Sequence, residues 1–244
     1  MQGVVLGREY LGGFHPYDGT IDFYNRIDSI LTGNERVLNL GAGRGSWFYL
    51  DQSEKRRSLL DIANRVKEFV GADIDPEVLA NKTTHRNFLI SGDLLPFEDN
   101  YFDVVICDWV FEHIENQEVF TKELNRVLKP NGLLAARTPH TLNVTHIAQV
   151  LIPEKFHSFV LRRVQPNREL RDHFKIYYRL NTRKVIRKKF PGYKDFTYLH
   201  VSEPGYYFNK RRFYKIIFYS QFLFPILFSN LHVFLQKPEN LNDR

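Results

Sequence analysis

Cysteine is nearly absent from this chain of 244 residues: Cys107 is the single one. An internal disulfide is excluded, and the composition fits a reducing compartment such as the cytoplasm. No run of about 18 apolar residues occurs, which argues against a membrane-spanning helix. The start, Met1-Gln2-Gly3-Val4-Val5, lacks the charged opening and apolar run of a signal peptide. The GxxxxGK(S/T) pattern of a phosphate-binding P-loop is missing, as are internal repeats and low-complexity tracts. Acidic residues are the minority charge, 28 against 34 Lys and Arg, for a net charge of +6.

What the chain does contain is an apolar run that ends in three alternating glycines, Val37-Leu38-Asn39-Leu40-Gly41-Ala42-Gly43-Arg44-Gly45, followed by Ser46-Trp47-Phe48. The pattern predicts a buried parallel strand, a tight turn and a helix start. Such a turn lets the backbone approach a ligand where no side chain would fit, and the helix start offers N–H groups to a polar or negative one. The dinucleotide fingerprint GxGxxG is not met. Its third glycine comes one residue early, at Gly45, and Ser46 stands where the fingerprint wants glycine. On the glycines alone, a purely structural turn and a ligand cradle both remain open.

Strands and helices alternate along the chain. Strands are predicted at Val37–Leu40, Val70–Ile74, Asn87–Ser91, Phe102–Cys107 and Leu133–Arg137, with later ones at Phe196–Val201 and Leu231–Gln236. Helices are predicted over Phe48–Phe69, from Asp75-Pro76 onward, over Val119–Leu128, Asn181–Phe190 (opened by Thr182) and Lys210–Leu223. This alternation argues for an α/β fold, a mostly parallel sheet with helices on both faces. Ligands of such sheets sit beyond the C-terminal strand ends. Asn39–Gly45, Asp73, Asp93 and Asp108 all fall at or just after such ends. The expected organisation is one domain: an N-terminal helical lid over 1–35, a cofactor-binding core over 36–137, a helical substrate lobe over 138–192, and strands and a helix over 193–244 that complete the sheet.

From Val37 to Pro139 the residues resemble, in order, the class I S-adenosylmethionine-dependent methyltransferases of the broad bacterial type 11 kind. Val37–Gly45 is similar to that family's first motif. Gly71-Ala72-Asp73-Ile74-Asp75-Pro76 is similar to the second, Ser91-Gly92-Asp93 with Leu95-Pro96-Phe97 to the third, and Phe102-Asp103-Val104-Val105 leading to Asp108-Trp109 and Phe111-Glu112-His113 to the fourth. Leu128-Lys129-Pro130-Asn131-Gly132 resembles the turn before strand five. The resemblance implies a Rossmann-like, seven-stranded, mostly parallel sheet with an antiparallel last strand. It implies S-adenosyl-L-methionine as cofactor, held by Asn39, Gly41, Ala42, Gly43, Gly45, Asp73, Ile74, Asp93, Leu94, Asp108 and Trp109. Asp73 would bind the ribose hydroxyls and Asp93 the adenine side. Two departures stand out: Asn39 occupies a position where the family usually has an acid, and the gap from Gly45 to Asp73 is long. We assign the excess to Leu50–Ser58, as an extension of the first helix.

Methyl transfer to a hydroxyl also removes a proton, so a nearby base helps. His113, after the fourth strand, is the first candidate; Asp108 and His140 are the others. For His113 and Asp108, packing and capping roles are equally open. His15, His157 and His173 carry weaker signals. No metal-ligand spacing is visible, and no metal is expected. The segment Asp108-Trp109-Val110-Phe111 lacks the Asn/Asp-Pro-Pro-aromatic tetrad of base N-methylating enzymes, which argues against base N-methylation, while the basic residues keep an RNA role open. The resemblance, with the cationic, aromatic lobe over 138–192, implies O-methylation of a small molecule or of a sugar or glycan hydroxyl as the expected reaction. The alternatives are an RNA or lipid/membrane-associated methyltransferase, or a cofactor-binding docking protein without catalysis. Twelve Lys and Arg against Glu169 and Asp172 fill Lys155–Lys189. They fit either a solvated surface or a patch for phosphate, acidic glycan or membrane. Tyr206–Phe228 combines Lys210, Arg211, Arg212 and Lys215 with a Phe-rich face. It reads as a sheet-covering helix or as a peripheral contact with the inner face of the membrane.

Overall fold

A computed structural model describes residues 11–144, 146–147, 175–202 and 211–239. Eight strands build one sheet: β1 (Arg36–Leu40), β2 (Glu68–Asp73), β3 (Arg86–Leu89), β4 (Phe102–Asp108), β5 (Leu128–Pro139), β6 (Lys194–Asp195), β7 (Tyr198–Val201) and β8 (Ser229–Gln236). Their order is β3-β2-β1-β4-β5-β8-β6, with β7 also paired to β8. Strands β1 to β5 pair in parallel. Strand β8 runs antiparallel to β5, and β6 and β7 run antiparallel to β8. The seven strands expected become eight segments because the predicted strand over 196–201 is replaced by two short edge pieces. The Asp195 carboxylate accepts the backbone N–H of Thr197 at 2.8 Å, which turns the chain between them.

The central strands read as continuous apolar runs because both faces are covered. Successive side chains point to opposite faces. Leu38, Val70, Val105 and Leu134 face Leu124 and Val127 of α4 (Gln117–Val127) and Ile186 of the helix Arg183–Lys189. Val37, Phe69, Val104 and Ala135 face Phe23 and Ile27 of α1 (Gly19–Asp28), together with Leu59, Leu60 and Ile62. Each large side chain removed from water this way contributes about 1.5–3 kcal/mol. Helix α1 is thus part of a core, which differs from the lid expected over 1–35.

The helix expected over Phe48–Phe69 is broken. Helix α2 (Ser46–Leu50) ends, α3 (Glu54–Leu60) begins anew, and a single 3-10 turn follows at Ala63–Arg65. The Asp51 carboxylate causes the break: it accepts the backbone N–H of Ser53 at 2.8 Å and a two-pronged bond from Arg56 at 2.7 and 2.8 Å. Arg56 reaches on to Asp18 at 2.7 Å, tying the break to the cap of α1. The long gap between Gly45 and Asp73 is therefore a second helix and a turn, not an extension of the first. After β2, Asp75 caps as expected, with Pro76 at the first position, but the element is a short 3-10 stretch, Pro76–Ala80. Of the lobe expected over 138–192, residues 145 and 148–174 lie outside the described residues, and with them His157, His173 and most of the basic segment. So does the start, 206–210, of the aromatic stretch.

Candidate cofactor and acceptor site

The C-terminal ends of β1, β2 and β4 lie side by side, because β1 pairs with both neighbours. At the end of β1 the chain turns through Gly41 (φ 80°), Gly43 (φ 49°) and Gly45 (φ 69°). Side chains rarely adopt these angles. A Cβ at Gly41 would stand 2.4 Å from Val110 Cγ2, so the turn needs glycine for space as well. Gly41 and Ala42 donate their N–H groups to Ala72 O at 2.8 and 3.2 Å, which docks the turn on β2.

Asp73 ends β2, and its carboxylate organises the turn. One oxygen accepts Gly43 N–H at 2.7 Å and the other accepts Asp75 N–H at 3.0 Å. Each oxygen keeps further acceptor capacity. Asn81, which the sequence did not single out, braces the turn from behind. Its Nδ2 donates to Ala42 O at 3.1 Å and Gly43 O at 3.0 Å, while its Oδ1 accepts from Thr83. It is buried, and a Cβ on Gly45 would stand 2.5 Å from its Oδ1. Asn39 is buried in β1, beside Gly71 and Ile106. Apolar side chains that would normally be covered are exposed around this turn: Ile74 at 64% and Leu94 at 69%. Asp93 is exposed beside Leu94.

The end of β4 carries strain and charge. Trp109 adopts φ 59°, a left-handed conformation that is uncommon for a bulky residue and marks sites where strain is held for a purpose. It is 40% exposed. Asp108, before it, receives both arms of Arg137 at 2.8 Å each and the Tyr24 hydroxyl at 3.1 Å. Arg137 is buried at the end of β5 and also donates to Thr20 Oγ1 at 2.9 Å. Burial works against its charge, but Asp108 outweighs that and holds the guanidinium protonated. A carboxylate bound this way orients its neighbours; it is poorly placed to take a proton.

His113 closes the 3-10 turn after Trp109, and its Nδ1 lies 2.9 Å from Lys175 O. A carbonyl only accepts, so in the neutral ring the proton sits on Nδ1 and the lone pair on Nε2. His140 has the opposite arrangement. Its Nδ1 accepts Leu142 N–H at 3.1 Å, which leaves the proton on Nε2, and burial holds its pKa below the usual value. The neutral rings of His113 and His140 thus carry opposite tautomers. His15 is buried, its Nδ1 accepting Tyr17 N–H at 3.0 Å.

Glu112 is a residue that sequence reasoning missed as chemistry. It is buried and accepts from Thr138 Oγ1 at 2.8 Å; Thr138 in turn accepts from Asn181 Nδ2 at 2.7 Å. Burial pushes its carboxyl up from 4.5 to about 7. Its backbone carbonyl accepts the N–H groups of Tyr177 and Tyr178 at 2.7 and 3.2 Å, which fastens 175–181 to the strand end. Only the adjacency of Glu112 to an apolar strand could have flagged it. Among the described residues, no three His, Cys, Asp or Glu side chains are grouped to hold a metal ion.

A glycine turn braced against an acid-tipped second strand, in a sheet of order β3-β2-β1-β4-β5-β8 with an antiparallel β8, defines the class I methyltransferase fold. Residues 54–136 match the family model described as "Methyltransferase domain". The chain is 36% identical over 106 residues to a demethylmenaquinone methyltransferase of Staphylococcus saprophyticus, covering 41% of this chain and 42% of that protein. It is 29% identical over 94 residues to a ubiquinone biosynthesis O-methyltransferase of Rickettsia conorii, covering 38% of this chain and 32% of that one. The matches therefore span less than half of these relatives. Among solved structures, SAM-dependent methyltransferases of Archaeoglobus fulgidus and Methanosarcina mazei share the fold. Each has a TM-score of 0.53 and 14% identity, covering 89% and 88% of this chain and 92% and 98% of theirs. The cyclase SpnF shares it as well, with a TM-score of 0.53 and 13% identity over 90% of this chain and 81% of its own. The sheet thus has the fold of the class I S-adenosylmethionine-dependent methyltransferases, and residues 54–136 are similar to the methyltransferase domain family.

Proposed function

We propose that the chain binds S-adenosyl-L-methionine at the β1, β2 and β4 strand ends and methylates a hydroxyl of a small organic acceptor. The reading rests on one observation: Asp73 presents a backbone-anchored carboxylate beside a glycine turn with no room for a Cβ at Gly41 or Gly45. A ribose diol fits that carboxylate through charge-assisted hydrogen bonds. Exposed Ile74 and Leu94 offer apolar contact to a purine, and Asp93 an acceptor for its amino group. Asn39 and the glycine turn would hold the amino-acid end, with Asn39 supplying dipoles in place of charge. When bound, the cofactor supplies an electrophilic methyl group. The chain's own residues align the acceptor and take its proton. His113 is the proposed base, through Nε2, while Arg137 fixes Asp108 and so the path of Trp109. A base matters because a hydroxyl becomes a good nucleophile only as its proton leaves.

For the acceptor we favour a ring hydroxyl of a small molecule. The relative named for O-methylation in ubiquinone biosynthesis supports it, and a sugar hydroxyl is the second choice. Base N-methylation is disfavoured by the proline-free segment after β4. Isothermal titration with S-adenosylhomocysteine tests the core of the proposal. Binding should be measurable, and Asp73→Asn should weaken it about 30-fold, close to 2 kcal/mol for charged hydrogen bonds made neutral. Absence of binding by the native protein would overturn the assignment.

A further inference from the structure

The helix Arg211–Leu223 is covered on one side and bare on the other. Gln221 is buried on the inner side, and Phe218 packs its ring against His15 at 5.5 Å and Tyr17 at 6.0 Å. The outer side, at helical spacing, presents Arg212, Lys215, Ile216, Tyr219, Phe222 and Leu223, all exposed. The exposed run goes on through Phe224, Pro225 and Ile226. Five consecutive residues, 222–226, therefore turn apolar surface to solvent, Leu223 at 75% and Phe224 at 57%. A soluble surface rarely leaves so contiguous an apolar patch bare unless something covers it.

The charges on this segment say what covers it. No Asp or Glu occurs between Arg211 and Gln236. A second copy seated on this face would bring Arg212 and Lys215 against their own counterparts with no acid on the segment to answer them. A bilayer with anionic headgroups answers both features at once, accepting the apolar tip among its acyl chains and the cations at its surface. The thirteen-residue helix spans about 20 Å, and among the described residues no helix is long and apolar enough to cross a membrane. Its geometry is that of a segment lying on the interface. The tip leads directly into Ser229, whose carbonyl accepts His140 N–H at 3.3 Å and Asn143 Nδ2 at 3.0 Å. The patch thus borders the end of the sheet that carries the candidate site.

We propose that residues 216–226 dock the protein onto an anionic bilayer, with the apolar tip inserted and Arg212 and Lys215 on the headgroups. The test is co-sedimentation of the full chain with vesicles of phosphatidylcholine alone and of phosphatidylcholine with about one third phosphatidylglycerol. The native protein should bind the anionic vesicles about tenfold more tightly, and high salt should erase the preference. Replacing Phe222, Leu223 and Phe224 together by Ser should lower binding by about tenfold or more without moving the unfolding midpoint, because these side chains are exposed. Arg212→Glu with Lys215→Glu should abolish the anionic preference. Native protein that stays in solution, or a triple variant that binds as before, overturns the proposal. So does a dimer that the triple variant dissociates while vesicles go unbound. S-adenosylhomocysteine titration without vesicles reports on the methyl-transfer reading separately.

Discussion

Replacing Glu112 by Gln should make the protein more stable at pH 8 and leave it unchanged near pH 4. In the folded chain the carboxyl titrates near 7 rather than 4.5, chiefly because it is buried. Both states are protonated below 4.5, so the group contributes no difference there. As pH rises from 4.5 to 7 the unfolded chain releases the proton and the folded chain does not. The stability that the neutral buried form enjoys at low pH is lost progressively over that window. A shift from 4.5 to about 7 corresponds to about 3 kcal/mol at full extent. Gln keeps an oxygen for the Thr138 hydroxyl, 2.8 Å away in the native protein, and has no proton to lose. Urea unfolding of both proteins from pH 4 to 8 should give curves that converge in acid and diverge by up to about 3 kcal/mol in base, with Gln the more stable. A difference constant across pH would refute the assignment of a high carboxyl pKa. A native protein that gains stability from pH 5 to 7 relative to the variant would reverse its sign.

Two further substitutions test the strand ends. Gly41→Ala places a Cβ 2.4 Å from Val110 Cγ2 at φ 80°. It should cost about 1–2 kcal/mol in thermal unfolding and weaken S-adenosylhomocysteine binding, with Val110→Ala restoring part of both; undiminished binding would remove the need for close approach there. Asp108→Ala leaves the buried Arg137 guanidinium without its counter-charge, and chemical unfolding should show a loss of about 3–5 kcal/mol. A loss well under 1 kcal/mol would instead free Asp108 for a chemical role.

Local signals carried the fold. The apolar runs at 37–40 and 102–107 predict buried strands, and the structure pairs them side by side. Thr182 and Asp75 cap where their side chains can reach the backbone a few residues on. The glycine turn was legible because its positive-φ glycines follow directly on a buried apolar strand. What the sequence hid depends on partners far along the chain. The break at Asp51 follows from Arg56 bridging to Asp18, a pairing across 38 residues. Arg137 looks like a polar end to an apolar strand until Asp108 meets it across 29 positions. Asn81 reads as an ordinary loop residue, and only the folded chain shows it holding the carbonyls of the glycine turn. His113 and His140 look alike in sequence. Their opposite tautomers come from a carbonyl 62 residues away in one case and an amide two residues away in the other.

The segment around Tyr177 and Tyr178 hangs from the sheet by main-chain N–H groups that both reach one carbonyl, that of Glu112. Such a hinge pin does not depend on which side chains flank it. Exchanging the Tyr177 or Tyr178 side chain should therefore leave both main-chain bonds in place.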